Sequence, residues 1–324
     1  MKGAAMTTIG YHASHEQFRP GELLRYVRLA EQAGFGAAMC SDHFSPWSER
    51  QGQSGFAWSW LGAALEATTL SFGVVNAPGQ RYHLAIIAQA AATLADMYPG
   101  RFWIAVGSGQ AMNEHITGER WPSKAERNTR LYEAAAVMRA LWSGETVSHT
   151  GAFRVSEAKL YTRPTAPPLL VGAAITPATA EWVGSWADGM ITIAQPREQM
   201  HAVIERFRAG GGAGKPMYLQ AQHSYAASEQ AARAGAHEQW RTNIFASSLQ
   251  TELRTPAQFD QAAAFIRPDQ LDDSIRIAAD LERHAAWLHE DLELGFERIY
   301  IHNVNREQQA FIEAFGERVL PALR

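Results

Sequence analysis

Two short clusters in this 324-residue chain carry side chains able to move a proton or grip a polar ligand. The first is Ser41-Asp42-His43, followed by Pro46 and Trp47. An imidazole exchanges a proton near neutral pH, and an indole beside it can support the cationic form or stack on a planar ligand. The second is Gly107-Ser108-Gly109-Gln110, followed by Asn113 and Glu114. Its glycines let a backbone approach a ligand closely, and the next turn presents an amide and a carboxylate. It is not a dinucleotide fingerprint, because the third glycine and the required unit near the chain start are missing. Out of context, either cluster does no more than close a loop. The stretch from Gln51 to Trp60, rich in glycine and aromatics, is either a pocket wall or core packing. Arg81-Tyr82-His83 is able to reach an anion or to pair at the surface.

What ranks these residues is the set of elements that must position them. Short apolar or β-branched runs at 8–12, 36–41, 70–76, 102–107, 169–174, 189–194, 217–223 and 298–303 alternate with helical stretches. The helices fall at 20–34, 83–97, 125–141, 177–186, 197–209 and 275–292. In the first of them Leu23, Val27 and Ala30 share one face. Strand and helix in alternation imply parallel strands with right-handed crossovers, and eight units imply closure into an α/β fold, a (β/α)8 TIM barrel. Two segments are extra: a hairpin at 146–162, after the fourth helix, and a capping insertion at 228–273, after the seventh strand. Nothing else divides the chain, so residues 1–324 read as one domain. Active sites of such barrels lie at the C-terminal ends of the strands. Both clusters fall there, together with His12, Asn76, His223 and His302-Asn303.

Composition narrows the function. Hydrophobic residues make up 46% and charged residues 19%, which is globular rather than disordered. A net charge of −4, with no basic stripe, gives nucleic acid no counterion-releasing surface. The lone Cys40 cannot form an internal disulfide, and the first residues lack the apolar core of a signal peptide, so a cytoplasmic location is expected. No stretch approaches 18 uninterrupted apolar residues, so no membrane association is expected. Twelve histidines include no HxxxH or HxH pair, and no metal is expected.

In order and spacing these residues resemble the luciferase-like flavin and F420 oxidoreductases, in particular the branch of F420-dependent glucose-6-phosphate dehydrogenase. The resemblance spans nearly the whole chain. It is carried by Ile9-Gly10-Tyr11, Ser41-Asp42-His43-Phe44 with Pro46-Trp47, Arg81-Tyr82, Ile87-Ala88-Gln89 and Tyr98-Pro99 with Arg101. Val106-Gly107-Ser108-Gly109 with Asn113-Glu114, Leu141-Trp142-Ser143-Gly144 and Ala187-Asp188-Gly189 continue it. It implies a flavin or deazaflavin ring across the strand ends, resting on a bulge with a non-proline cis peptide, here Val74-Val75. Such a bond costs roughly 3 kcal/mol and needs a reason to persist. Asp42, Ala77, Gly107, Asn113, Ala173 and Ala174 match cofactor-contacting positions. His43 matches the imidazole that takes the substrate hydroxyl proton, and Trp47 the indole that supports it. A small-molecule substrate and a homodimer are further implications.

The chain also departs from that branch. Gln110 stands where the dehydrogenase has a glutamate acid, and an amide exchanges no proton at neutral pH. Glu114 is a stand-in, although it matches another position. The cations that grip the sugar phosphate fall at Pro196, Gln250 and Ser274. The glycine pair at the F420 phosphate is Ile175-Thr176. A side group of the family that uses an ordinary flavin shares the Ser54-Gly55-Phe56 and 113–118 stretches. On these grounds the sequence favours FMN over F420, in an oxidoreductase that transfers hydride or acts as a monooxygenase with His43 as acid or base. The alternatives are an F420-dependent dehydrogenase of an unphosphorylated alcohol, a flavin-binding protein without turnover and, last, a hydrolase.

Overall fold

The computed structural model describes residues 7–323, and in it the alternation closes on itself. The first half runs β1 (Thr8–Ala13), α1 (Pro20–Gln32), β2 (Ala37–Ser41), α2 (Ala57–Ala67), β3 (Ser71–Asn76), α3 (Leu84–Met97), β4 (Phe102–Val106), α4 (Ala111–Glu114) and α5 (Lys124–Ser143). A hairpin of β5 (Val147–Thr150) and β6 (Arg154–Ala158) precedes β7 (Leu169–Ala173), α6 (Pro177–Gly184), β8 (Gly189–Ile193) and α7 (Arg197–Phe207). The remainder is β9 (Met217–Tyr225), α8 (Glu229–Trp240), α9 (Ser247–Gln250), α10 (Pro256–Ala262), β10 (Arg276–Ala278), α11 (Leu281–Leu292) and β11 (Arg298–Asn303). Finally α12 (Gln308–Ala314) continues through a π turn into α13 (Leu320–Ala322).

The ring is β1-β2-β3-β4-β7-β8-β9-β11, parallel throughout, and it closes through Thr8↔Arg298 to Tyr11↔Ile301. All eight expected strands are in it. The helix expected at 275–292 is instead a strand followed by a helix. The long β9 outruns the barrel, and its open edge takes Arg276, Ile277 and Ala278 opposite His223, Ser224 and Tyr225. Asp280 then caps α11 by accepting from Glu282 N at 2.9 Å.

Side chains alternate in and out along each strand. Inward-pointing Trp103, Tyr218 and Tyr300 fill the barrel, and two glycines make room for them. A Cβ on Gly10 would lie 2.5 Å from the Tyr300 ring, and one on Gly73 would overlap Trp103. Trp103 Nε1 donates to Tyr300 OH at 3.2 Å, so the buried polar atoms are paired. Above this plug, the same parity brings up His12, Ser41, Val75, Gly107, Ala173, Ile193, Gln220 and His302. The layer is divided. Strands β3, β4, β7 and β8 contribute only small or apolar groups, whereas β9, β11, β1 and β2 contribute hydroxyl, amide and imidazole. Among the described residues, no helix is long and apolar enough to cross a membrane.

Candidate active site

The imidazole half is organised around a carboxylate that sequence reasoning missed. Ser14, His15 and Glu16 follow β1 directly, and the turn brings Glu16 Oε1 to 2.6 Å from His43 Nδ1. Its other oxygen accepts from Ser14 Oγ at 2.9 Å. Glu16 is buried, and burial alone would raise its pKa. The hydrogen bond from His43 and the charge behind it outweigh that, holding the carboxyl well below the usual range. An ionised carboxylate only accepts, so His43 Nδ1 carries the hydrogen and Nε2 is the atom left to meet a substrate. Position at the same rim as His43 was the only sequence signal for Glu16.

Trp47 stands edge-on to His43, with ring centroids 5.2 Å apart at 87°. It belongs to an apolar cluster with Met112 and Phe259, backed by Phe245 and Leu253. Deeper in, His12 and His302 stack at 4.3 Å. His302 Nε2 meets Gln17 Oε1 at 3.1 Å, and Gln220 Nε2 approaches His302 Nδ1 at 3.4 Å. Burial lowers His12 and His15 each to about 4, so both are neutral at pH 7.

The remaining expected residues sort into two groups. Val75, Gly107 and Ala173 come together as a platform of small groups, with Ala77 beside it: a Cβ on Gly107 would lie 3.6 Å from that of Ala173, and one on Gly109 3.4 Å from that of Ala77. Val74 and Ala174 point away into the outer core. The Val74-Val75 peptide expected to be cis is trans, and no bulge interrupts it. Val74 and Val75 keep regular partners on both sides, Cys40 and Ser41 on β2, Ile104 and Ala105 on β4.

Asp42 is tied into a buried hydrogen-bond network. Its Oδ2 accepts from Asn76 Nδ2 at 2.8 Å, Trp58 Nε1 at 3.1 Å and Arg81 Nη2 at 3.4 Å, while Oδ1 accepts from Tyr82 OH at 3.2 Å. Asn113 Oδ1 accepts from Phe44 N at 2.8 Å, and its Nδ2 donates to Gln110 Oε1 at 3.1 Å, so the amide pair ties the β4 loop to the His43 loop. Glu114 is buried under Arg81, whose backbone N donates to it at 2.7 Å. Burial raises its pKa despite the Arg81 charge. Its contacts lie on the β3 loop, away from the His43–Glu16 pair. Thr176 Oγ1 caps α6 by accepting from Thr179 N at 3.3 Å, and Gln195 Nε2 donates to Ile175 O at 3.1 Å.

Comparison with known proteins agrees with this architecture. Residues 2–298 match the luciferase-like monooxygenase family. The F420-dependent glucose-6-phosphate dehydrogenase of Beutenbergia cavernae is 33% identical over 330 residues, covering 98% of both chains. That of Kribbella flavida is 33% identical over 328 residues, again covering 98% of each. An F420-dependent secondary alcohol dehydrogenase, solved in complex with an F420-acetone adduct, superposes with a TM-score of 0.92 at 32% identity, over 98% of this chain and 99% of that one. The F420-dependent tetrahydromethanopterin reductase of Methanopyrus kandleri shares the fold at 17% identity and a TM-score of 0.77, over 99% of this chain and all of that one. The chain belongs to the luciferase-like monooxygenase family.

Proposed function

We propose that this protein is an F420-dependent dehydrogenase of a small unphosphorylated alcohol, with His43 as the proton acceptor. The names of the full-length relatives move the balance from the flavin favoured by sequence to the deazaflavin. The platform fits such a group. Val75, Ala77, Gly107 and Ala173 leave a flat apolar surface beside the imidazole half, and Lys124 Nζ, bonded to Ser108 Oγ at 2.7 Å, brings a cation to its edge. Arg127 Nε nearby is buried with no partner among the described residues, a donor suited to an anionic tail.

The deazaflavin supplies the hydride acceptor. His43 Nε2 takes the hydroxyl proton as the carbinol carbon gives up its hydride, which leaves a ketone or aldehyde. Glu16 holds the imidazole in the tautomer that can accept, and stabilises the imidazolium that results. Trp47 walls the reacting carbon off from water. The substrate side is apolar through Trp47, Met112, Phe245, Leu253 and Phe259. Pro196, Gln250 and Ser274 offer no charge to a phosphate, and Gln250 Nε2 is already bonded to Asn243 O at 2.8 Å.

The observation that carries this reading is the His43–Glu16 pair set against that apolar wall. It is tested by purifying the protein from a host that lacks F420. The purified protein should bind added F420 and reduce it with a secondary alcohol, leaving glucose 6-phosphate untouched. Co-purifying FMN with no response to F420 would overturn it. A homodimer belongs to the same proposal. The outward faces of α2 and α3 carry Ser59, Ala63, Ile86, Thr93 and Met97, with charge only at Glu66 and Asp96. Sedimentation at the mass of one chain would exclude a dimer.

A further inference from the structure

The insertion between β9 and β10 reaches across the barrel mouth to the loop after β2, and one carboxylate makes the join. Asp260 on α10 accepts from three successive residues: Ser48 Oγ at 2.8 Å, Glu49 N at 3.0 Å and Arg50 Nη2 at 2.6 Å. The turn it grips is a closed unit. Trp47 N donates to Gln51 Oε1 at 2.9 Å, and Gln51 N donates to Ser48 O at 3.1 Å. The preceding residue, Phe259, is fully buried and meets the Trp47 indole edge-on at 5.4 Å. Two adjacent residues of the insertion therefore hold Trp47 from both sides, one by its backbone turn and one by its ring. On its far side the indole presents itself to His43.

We infer that Asp260 is a positioning residue: it sets the Trp47–His43 edge contact and so makes the insertion a determinant of which substrates fit. The distances place the control in the polar clamp. An aromatic edge contact tolerates rotation, whereas three hydrogen bonds to consecutive residues, one of them from a guanidinium, fix a turn in one orientation. Without the carboxylate, Arg50 keeps its bond to Glu238 O and Gln51 its bond to Gln239 O, but Ser48 and Glu49 lose theirs to α10, and the turn loosens at the end that carries the indole.

The first test is independent of any substrate. Asp260→Asn, near in shape, and Asp260→Ala are each made alone and with Trp47→Phe, and tryptophan emission is recorded. The emission change caused by the Asp260 substitution should vanish in the Trp47→Phe background. An equal change in both backgrounds would mean that Asp260 acts elsewhere and would overturn the assignment. The second test rests on the dehydrogenase reading. With F420 and a secondary alcohol, Asp260→Asn should raise KM about five-fold while kcat falls less than about two-fold, the pattern of a displaced binding wall. A fall in kcat in step with lost folded protein, at unchanged KM, would again overturn it. A wild-type protein inert toward alcohols would sink the dehydrogenase reading and leave the emission comparison to decide the role of Asp260.

Discussion

Glu16 Oε1 lies 2.6 Å from His43 Nδ1, and the two residues come from the loops that follow different barrel strands. The pair reserves Nε2 for chemistry. Glu16→Gln keeps the size of the side chain but removes the anion that supports a protonated imidazole. Steady-state turnover should then fall by about 100-fold with KM changed little, whereas His43→Ala should fall further. Turnover of Glu16→Gln equal to wild type would remove the carboxylate from the reaction.

Asp42 and Arg81 are both buried and meet within a network of five side chains, completed by Trp58, Asn76 and Tyr82. Asp42→Ala leaves the buried donors of Asn76 and Trp58 without their acceptor and Arg81 with Glu114 as its remaining carboxylate, which costs about 1–3 kcal/mol. Urea unfolding should show that loss in the midpoint. A variant as stable as wild type would mean that Asp42 is not the hub of the network.

Trp103 occupies the space that a side chain at Gly73 would need. Gly73→Ala should destabilise by about 1–3 kcal/mol or prevent folding, through overpacking of the barrel plug. Adding Trp103→Leu should recover soluble protein. If the double variant is no better than Gly73→Ala, backbone conformation and not the indole sets the requirement.

His223 Nδ1 and His284 Nδ1 are 2.7 Å apart in the outer core, and His284 Nε2 donates to Ala278 O at 3.0 Å. His284 must therefore accept at Nδ1 and His223 must donate; a second proton on His284 would break the contact, and one on His223 would sit on a buried Nε2 that has no partner among the described residues. Burial lowers His284 to about 4 and His223 well below its ordinary value, with Arg276 adding to both. The unfolded chain binds these protons below about pH 6.5 and the folded chain does not. Each group should thus remove about 1.4 kcal/mol of stability per pH unit between 6.5 and 4. Between pH 7.5 and 5.5 Glu16 is ionised in both states and does not mask the effect, whereas His12 and His15, lowered to about 4 in the same way, add to it in wild type and variant alike. Urea midpoints at pH 7.5 and 5.5 should diverge for the wild type and less so for His284→Asn. Equal divergence would assign the acid sensitivity to other groups.

The barrel was legible because its strands are covered on both faces and so read as continuous apolar, β-branched runs such as 102–107. The helix α2 was not. It buries Trp58, Trp60, Leu61, Ala64 and Leu65 with little polar residue between them, so it lacks the stripe that marks an amphipathic helix and reads equally as an aromatic wall. The C-terminal helices after β11 were also passed over. Position at a strand end singled out His43 and Trp47, which the structure brings edge to edge. It could not distribute roles, because roles come from partners distant in sequence. Asp42 adjoins His43 in the chain, yet its carboxylate is bonded to partners at positions 58, 76, 81 and 82. Glu16, which adjoins no candidate in sequence, is the one that touches the imidazole.

The divided layer at the barrel top also has an order of assembly. Its apolar half comes from β3 to β8, an unbroken middle stretch of the chain, so it can form while the ribosome is still working. Its imidazole half needs β1 beside β11, a pairing of Thr8 with Arg298, residues far apart in the chain. Long-range pairing of this kind is slow to form. A nascent or truncated chain can thus offer a resting place for a flat ring before it has His12, His43 and His302 in register. The imidazole half is complete only once β1 and β11 have paired.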